Sequence, residues 1–195
     1  MKLGRSALFG WAALAAATAA QAAGPPVADP NWPCHQAKVA AFPLASVWDG
    51  PPVEAAANWR DDPDVAGLAA EMSQRRVPLD EVKAAIDKLA GGADGKQKLT
   101  SAFAAAFDEL VRQRSEIIAG LDRFGRRQRE MAERIRAENE AAHKDAEPDA
   151  QALQKLEWDL RVFDDRRRTA SYVCEAPQAI ETRIGEIAKL VRAAL

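Results

Sequence analysis

Residues 96–144 read KQKLTSAFAAAFDELVRQRSEIIAGLDRFGRRQREMAERIRAENEAAHK, and this stretch decides the fold. Its large apolar residues recur at alternating spacings of three and four, which is the pattern of a coiled-coil seam. The seam residues are Phe103, Phe107, Leu110, Ile117, Leu121, Phe124, Met131 and Ile135. Only Arg114 and Gln128 interrupt it. The pattern predicts one helix over 96–144, about 70 Å long at ~1.5 Å per residue, and a helix of that length needs a partner.

The first 22 residues have the organisation of a secretory signal peptide. Lys2 and Arg5 precede an apolar run over residues 7–20, and Ala20-Gln21-Ala22 is a small-x-small cleavage pattern. We therefore expect residues 1–22 to be removed, residues 23–195 to form a single helical domain, and the protein to be periplasmic or secreted. Nothing later in the sequence is apolar enough to cross a bilayer.

Composition indicates an all-α protein, because β-branched residues are sparse. Loss of Lys2 and Arg5 with the signal peptide takes the formal net charge from −2 to −4. A mildly acidic, exported chain argues against nucleic acid as a partner.

The sequence contains two cysteines, Cys34 and Cys174, and both lie in the exported part. An isolated pair in an oxidising compartment favours a structural disulfide over two free thiols.

Residues 23–58 are rich in proline, which predicts an extended segment, here called the strap. The strap also carries large apolar residues, among them Trp32, Phe42 and Trp48, whose burial would each stabilise the fold by roughly 2 kcal/mol. We therefore expect it to lie along the helices, attached at Cys34. A flexible linker is the alternative.

Two short helices are predicted after the strap, over 62–76 and 78–90. Asp62-Pro63 and Pro78 mark their starts, and Gly91-Gly92 should end the second with a left-handed C-cap. Beyond Pro148 a return helix is predicted over 149–195, kinked near Pro177. Its seam is Leu153, Leu156, Leu160, Phe163, Arg167, Ala170 and Cys174, with Trp158 anchored in the same core.

Folding the chain back near residue 147 pairs the long helix with the return helix as an antiparallel helical hairpin, a coiled coil. Gln128 then falls opposite Arg167, so two polar seam residues share one layer, and we predict that this polar seam layer sets the alignment. The two short helices should cover the wide apolar stripes at the base of the hairpin and complete a four-helix bundle.

An arginine-rich face lies on the second half of the long helix. Arg123, Arg126, Arg127 and Arg134 stand among glutamates, a pattern typical of a solvated surface. The functional alternative is a docking face for an anionic partner.

The sequence contains no catalytic constellation that we can assign. It has no Gly-rich phosphate loop, no Gly-x-Ser-x-Gly elbow and no Cys-x-x-Cys pair, so we predict no cofactor and no enzymatic activity. His143, with Glu140 and Glu147 at helical spacing, could contact a metal, but a solvated hairpin tip is the simpler explanation because no second His or Cys lies near in the sequence.

Two functional hypotheses follow. The first is a non-catalytic interaction or scaffold protein of the bacterial cell envelope, whose protruding hairpin binds another envelope protein or a second copy of itself. The second is a periplasmic ligand- or metal-binding sensor that uses the tip around His143 or a groove under the strap. The predicted shape is similar to that of the Spy-type periplasmic chaperones. Their Leu-Thr-x-x-Gln signature is absent, because Phe103 follows Leu99-Thr100-Ser101-Ala102, so no chaperone activity is carried over.

Overall fold

The computed structural model describes residues 29–53, 59–144 and 149–195 of the 195-residue chain. Over these residues it contains five α-helices and no β-strand. The helices are α1 (Pro63–Ser73), α2 (Leu79–Ala90), α3 (Gly95–Ala142), α4 (Ala150–Cys174) and α5 (Ala176–Ala194). The all-α prediction and the long helix are confirmed, since α3 has 48 residues. The predicted signal peptide and both ends of the strap lie outside the described residues.

Helix α1 begins where the sequence indicates. The Asp62 carboxylate accepts hydrogen bonds from the backbone N–H groups of Asp64 at 3.0 Å and Val65 at 3.4 Å, and Pro63 occupies the first helical position. Lys98 of α3 lies 2.9 Å from the same carboxylate and is the main reason why the pKa of Asp62 falls below its ordinary value. The helix start and the long helix are thus joined by one charged contact.

The predicted left-handed C-cap at Gly91-Gly92 is wrong. Gly91 is right-handed, with φ −76°, and no glycine among the described residues has positive φ. The left-handed residue is instead Asp94, with φ 54°, immediately before α3. The left-handed residue therefore lies at the start of α3 rather than at the end of α2, and aspartate tolerates that conformation better than most residues.

The main core lies at one end of α3, where α1, α2 and α5 surround its first half. The side chains of Phe103, Leu99, Met72, Ile86 and Ile184 are almost completely buried there. Arg183 of α5 connects these elements by donating to the carbonyl oxygens of Met72 at 2.9 Å and Val77 at 3.0 Å. Because those carbonyls lie at and beyond the end of α1, they have no partner within that helix.

Helix α4 lies against the second half of α3. Residues that come later along α3 contact residues that come earlier along α4, as the Glu138–Lys155 ion pair and the contact of Arg166 with the Met131 sulfur at 3.8 Å show. Met131, Leu156, Ala170 and Cys174 are buried between them.

The predicted seam of α4 needs correction at three positions. Leu153 and Leu160 are 40% and 45% exposed, and Trp158, expected in the core, is 62% exposed. Successive helical residues are ~100° apart, so Trp158 lies about 160° from the buried Leu156–Cys174 line and points away from α3. A tryptophan in an amphipathic sequence does not by itself indicate which face is buried.

The return helix is interrupted at Glu175, two residues before Pro177. Helix α4 ends at Cys174, Glu175 separates the two helices, and Pro177 falls in the first turn of α5. Proline is tolerated in a first turn because its missing N–H would have no helical partner there.

The described part of the strap, residues 29–53, packs along α3. It contains a 3-10 turn at Leu44–Ser46, a hydrogen-bonded turn between Asp29 and Trp32, and bends over 34–36, and it forms no α-helix or β-strand. The Trp48 ring stacks on Phe103 with 4.4 Å between centroids, and the Phe42 ring stacks on Phe107 at 6.4 Å. The strap is thereby part of the core and not a flexible linker over these residues.

Candidate docking surface and the strap that borders it

The strap is joined covalently to the end of α4. Cys34 and Cys174 form a disulfide with 5.6 Å between their Cα atoms, so the predicted pairing is confirmed. It closes a sequence separation of 140 residues. The Gln36 side-chain amide also donates to the Cys174 carbonyl oxygen, one of the carbonyls left without a helical partner at the end of α4.

Arg114 joins the strap to α3 and α5. Its side chain is 2% exposed, and its Nε donates to Glu181 Oε1 at 2.6 Å. The two remaining guanidinium nitrogens donate to strap carbonyl oxygens, those of Val39 at 2.7 Å and Ala40 at 3.2 Å. Sequence analysis identified Arg114 only as an interruption of the seam. The planar fork of donors in arginine suits three acceptors from two different elements.

Closer to the tip the strap lies on one side of α3. Lys38 forms ion pairs with Asp122 at 2.7 Å and Asp29 at 3.1 Å. These contacts raise the pKa of Lys38, mainly through Asp122, while the Asn31 N–H, followed by Lys38, lowers the pKa of Asp29. At Gly125 a side chain would overlap the Asn31 carbonyl oxygen, so glycine is needed there for close approach of the strap.

Three of the four arginines of the predicted docking face lie on a different side of α3. At ~100° per residue, Arg123, Arg127 and Arg134 fall within about 40° of one another, and Arg126 lies about 60° to 100° from them, towards the strap. All four are exposed, and none has a carboxylate oxygen within 4.0 Å among the residues that the structure describes. Gly125 and Asp122, which receive the strap, lie about 120° or more from Arg127 and Arg134. The strap therefore leaves Arg127 and Arg134 open, whereas Arg126 lies about 40° from Asp122 and is near enough to the strap to contribute to the lowered pKa of Asp29.

Of the two residues of the predicted polar seam layer, Gln128 contacts α4 and Arg167 is exposed. Gln128 is half-buried, and its amide nitrogen donates to the Phe163 carbonyl oxygen at 3.3 Å. Arg167 follows Phe163 by one turn and is exposed. The Gln128 Oε1 atom is buried without a hydrogen-bond partner within the described part of the chain. A Gln128–Arg167 pairing stays a prediction.

A second polar contact lies nearer the tip. Lys155 of α4 pairs with Glu138 of α3 and, at 3.0 Å, with Asp159 one turn along α4. Lys155 is the main cause that lowers the pKa of Asp159. This contact joins the two helices beyond the end of the described strap.

Two of the concave regions formed by the described residues bear on a ligand site. The cavity under the strap, bounded by Trp32, Arg114 and Glu181, holds about 70 Å³, and its charged groups already pair with each other and with strap carbonyls. A larger cleft of about 470 Å³ lies between α1 and α2, lined by Leu68, Leu89, Lys88 and Glu71 among others. Drug-sized ligand sites are generally ~300 to 1,000 Å³ and mostly apolar, so the strap cavity is small for such a ligand.

The tip residues of the metal hypothesis are only partly described. His143 Nδ1 lies 2.8 Å from the Asn139 carbonyl oxygen, its helical neighbour, and Glu147 is outside the described residues. Throughout 29–53, 59–144 and 149–195, the described part of the tip included, no three His, Cys, Asp or Glu side chains come together as metal ligands would. Over the same residues, no helix combines the length and apolar character needed to cross a membrane.

Comparison with known proteins shows no match to a family model, to a curated protein or to a solved structure. The similarity in shape to Spy-type chaperones therefore stays a sequence-based expectation.

Proposed function

We propose that this chain is an exported, non-catalytic interaction protein of the bacterial cell envelope. In this proposal α3 and α4 form an antiparallel coiled-coil hairpin that stands out from a base of four packed helices, and the hairpin carries the binding surface. The reversed order of contacts between the helices supports the hairpin, since Glu138 contacts Lys155 while Gln128 contacts Phe163. The Cys34–Cys174 disulfide is what an oxidising compartment would allow.

The observation that carries the proposal is the arginine face. Four exposed guanidinium groups lie within about 100° of one another around one helix, and none has a carboxylate oxygen within 4.0 Å in the described residues. On ordinary helix surfaces, arginines commonly pair with a glutamate three or four residues away, as Arg112 does here with Glu109 and Glu116. Arginine is also enriched at protein interfaces, and its fork matches carboxylates. The partner should therefore present an acidic surface.

The test is capture of partners from envelope extract by the immobilised chain and by a charge-reversed variant. The variant carries Arg→Glu at positions 123, 126, 127 and 134. A matched control reverses four exposed basic residues at the base, Arg75, Arg76, Lys83 and Lys88, and changes the net charge by the same amount. We expect the face variant to lose acidic partners that the wild-type chain and the control retain.

Identical captured proteins for all three chains would contradict the assignment of this face. Circular dichroism of each variant checks that the helices are intact. A partner that survives face reversal and is lost in the control would place the docking surface at the base instead.

A further inference from the structure

Residues 29–38 of the strap, here called the arm, lie over the arginine-rich half of α3. Gly125 and Arg129 are about 40° apart around the helix, and both meet the arm. The buried Gly125 faces the Asn31 carbonyl oxygen, and Arg129 donates to the Pro30 carbonyl oxygen at 3.0 Å. The arm thus supplies an acceptor to one arginine and covers the helix backbone beside it.

The arm also brings a carboxylate towards a second arginine. The Asn31 N–H and Lys38 are the largest causes of the lowered pKa of Asp29, and Arg126 is a further one. Arg126 is one of the four arginines of the predicted docking face. The arm therefore places a carbonyl oxygen and a carboxylate beside this half of α3, which is the chemistry expected of an acidic partner.

The arm is held by the disulfide and by polar contacts. No residue of the arm is buried. Its Lys38 pairs with Asp122 and Asp29, but all three side chains are 22% to 34% exposed. Ordering a backbone costs conformational entropy at every residue, and partly exposed ion pairs offset little of that cost. The disulfide is therefore the contact that keeps the arm in place.

The rest of the described strap, residues 39–53, has anchors of its own. The rings of Phe42 and Trp48 stack on rings of α3. In addition, the Arg192 guanidinium of α5 donates to the Val47 carbonyl oxygen at 3.1 Å. Loss of the disulfide should therefore free the arm while residues 39–53 stay packed.

We propose that the Cys34–Cys174 disulfide is a redox switch: its reduction releases the arm and opens Arg126 and Arg129 to an acidic peptide segment of a partner. A peptide segment fits because α3 already admits a backbone carbonyl at Gly125. The switch rests on the proposed function, since it regulates the same half of α3.

The reductant is a dithiol, and Cys34 is the accessible sulfur, because it is half-buried whereas Cys174 is 6% exposed. A thiolate of the dithiol attacks the Cys34 sulfur, the S–S bond breaks, and Cys174 leaves as a thiolate that takes up a proton. The second thiol of the reductant then attacks the mixed disulfide and releases Cys34 as a thiol. The reductant ends as a disulfide, and the chain gains two electrons and two protons.

Release of the arm is tested without a partner by lysine acetylation followed by mass spectrometry. Lys38 should react at least about 5-fold faster in Cys34→Ser with Cys174→Ser than in the oxidised wild-type chain, because local opening removes its ion pairs. Lys98 is the matched internal control. Its side chain is 29% exposed and pairs with two aspartates, as that of Lys38 does at 28%, but it lies far from the arm along α3. Its rate should stay unchanged.

Opening of the two arginines is tested with fluorescein-labelled decaglutamate as the probe, by fluorescence anisotropy. The double Ser variant should bind it with a Kd at least about 10-fold lower than the oxidised wild-type chain, because two guanidinium groups gain carboxylate partners. Adding Arg126→Glu with Arg129→Glu should remove this gain. Adding Arg75→Glu with Arg76→Glu, an equal change of charge at the base, should keep it.

Gly125→Ala tests the same release with the disulfide intact. The added Cβ would lie 1.6 Å from the Asn31 carbonyl oxygen, so this part of the arm has to move off α3, while alanine favours the helix. Gly120→Ala is the control, because its Cβ meets nothing closer than the Arg123 Nη2 atom at 3.8 Å. Oxidised Gly125→Ala should show the gain in decaglutamate affinity, and Gly120→Ala should bind as the wild-type chain does.

Three results would overturn the proposal: a Lys38 rate that is unchanged or that rises only in parallel with Lys98, no affinity gain in Gly125→Ala, or a gain that survives reversal of residues 126 and 129. Lysine acetylation involves no partner, and the capture experiment of the proposed function uses the oxidised wild-type chain. Failure of the switch and failure of the arginine face are therefore separable.

Discussion

Arg114 and Glu181 form an ion pair between α3 and α5 at a position where the coiled-coil pattern calls for an apolar residue. Arg114 Nε lies 2.6 Å from Glu181 Oε1, and the guanidinium is 2% exposed while the Glu181 side chain is 29% exposed. The same guanidinium donates hydrogen bonds to the Val39 and Ala40 carbonyl oxygens of the strap. One side chain thus connects three elements that are distant in sequence.

Arg114→Ala is expected to lower the free energy of unfolding by about 3 kcal/mol, because it leaves Glu181 and two strap carbonyls without their donor. Arg114→Lys should be nearly as damaging, since one ammonium cannot reproduce the fork. Urea denaturation followed by circular dichroism measures both. Arg112→Ala is the control: its ion pairs with Glu109 and Glu116 are exposed and should be worth less than about 1 kcal/mol. Equal losses at 112 and 114 would refute the role given to Arg114.

Removal of the disulfide by Cys34→Ser with Cys174→Ser should destabilise the chain by at most about 5 kcal/mol, the chain-entropy value for a loop of this length. The midpoint of urea unfolding, measured with and without dithiothreitol, reports the effect. Reductant should shift the wild-type midpoint and leave that of the double variant where it is. A wild-type midpoint insensitive to reductant, with thiols shown to be free, would contradict the prediction.

Trp48→Ala should cost about 3 to 5 kcal/mol, as expected for deletion of a large buried aromatic side chain. Trp48 is 9% exposed and stacks on Phe103 in the main core. Val39→Ala is the matched strap control, because Val39 is 54% exposed and should change stability little. Differential scanning calorimetry compares the two, and similar melting temperatures for both variants would show that the strap does not contribute to the core.

Acid should weaken the contacts that Asp29, Asp62 and Asp159 make. In the folded chain each of these carboxyl groups has a pKa below its ordinary value of 3.8. A lowered folded pKa means that the unfolded chain binds more protons, so the stabilisation is complete above pH ~4 and is lost as the pH falls through the folded pKa. Urea midpoints from pH 7 to pH 2 should fall less steeply for Asp159→Asn than for the wild-type chain. Parallel curves would contradict the contribution of Asp159.

Zinc titration tests the sensor hypothesis at the tip. We expect no binding tighter than about 1 mM, because protein zinc sites usually supply three or four ligands and no three His, Cys, Asp or Glu side chains come together in the described residues. Isothermal titration calorimetry of the wild-type chain and of His143→Ala provides the measurement. Micromolar binding that disappears in His143→Ala would favour the sensor over the interaction protein.

The sequence by itself determined the helical class, the position of the long helix and the cysteine pairing. Apolar residues at alternating spacings of three and four over 96–144 predict a helix, which local propensity and burial of the seam both favour. The observed helix α3 covers Gly95–Ala142. The disulfide followed from counting, since two cysteines have only one pairing within the chain. The exposure of the four arginines followed as well, because no apolar row shares their side of the helix.

Only the tertiary structure decided what covers each remaining side chain. Arg114 is buried because the strap supplies carbonyl acceptors beside it, Gly125 admits the Asn31 backbone, and Trp158 points outward because Leu156 and Cys174 define the buried line of α4. Helical periodicity assigns residues to the faces of a helix, but it does not determine which face packs against another helix or against the strap. That choice depends on contacts between parts of the chain far apart in sequence, whose burial and hydrogen bonding outweigh local preference.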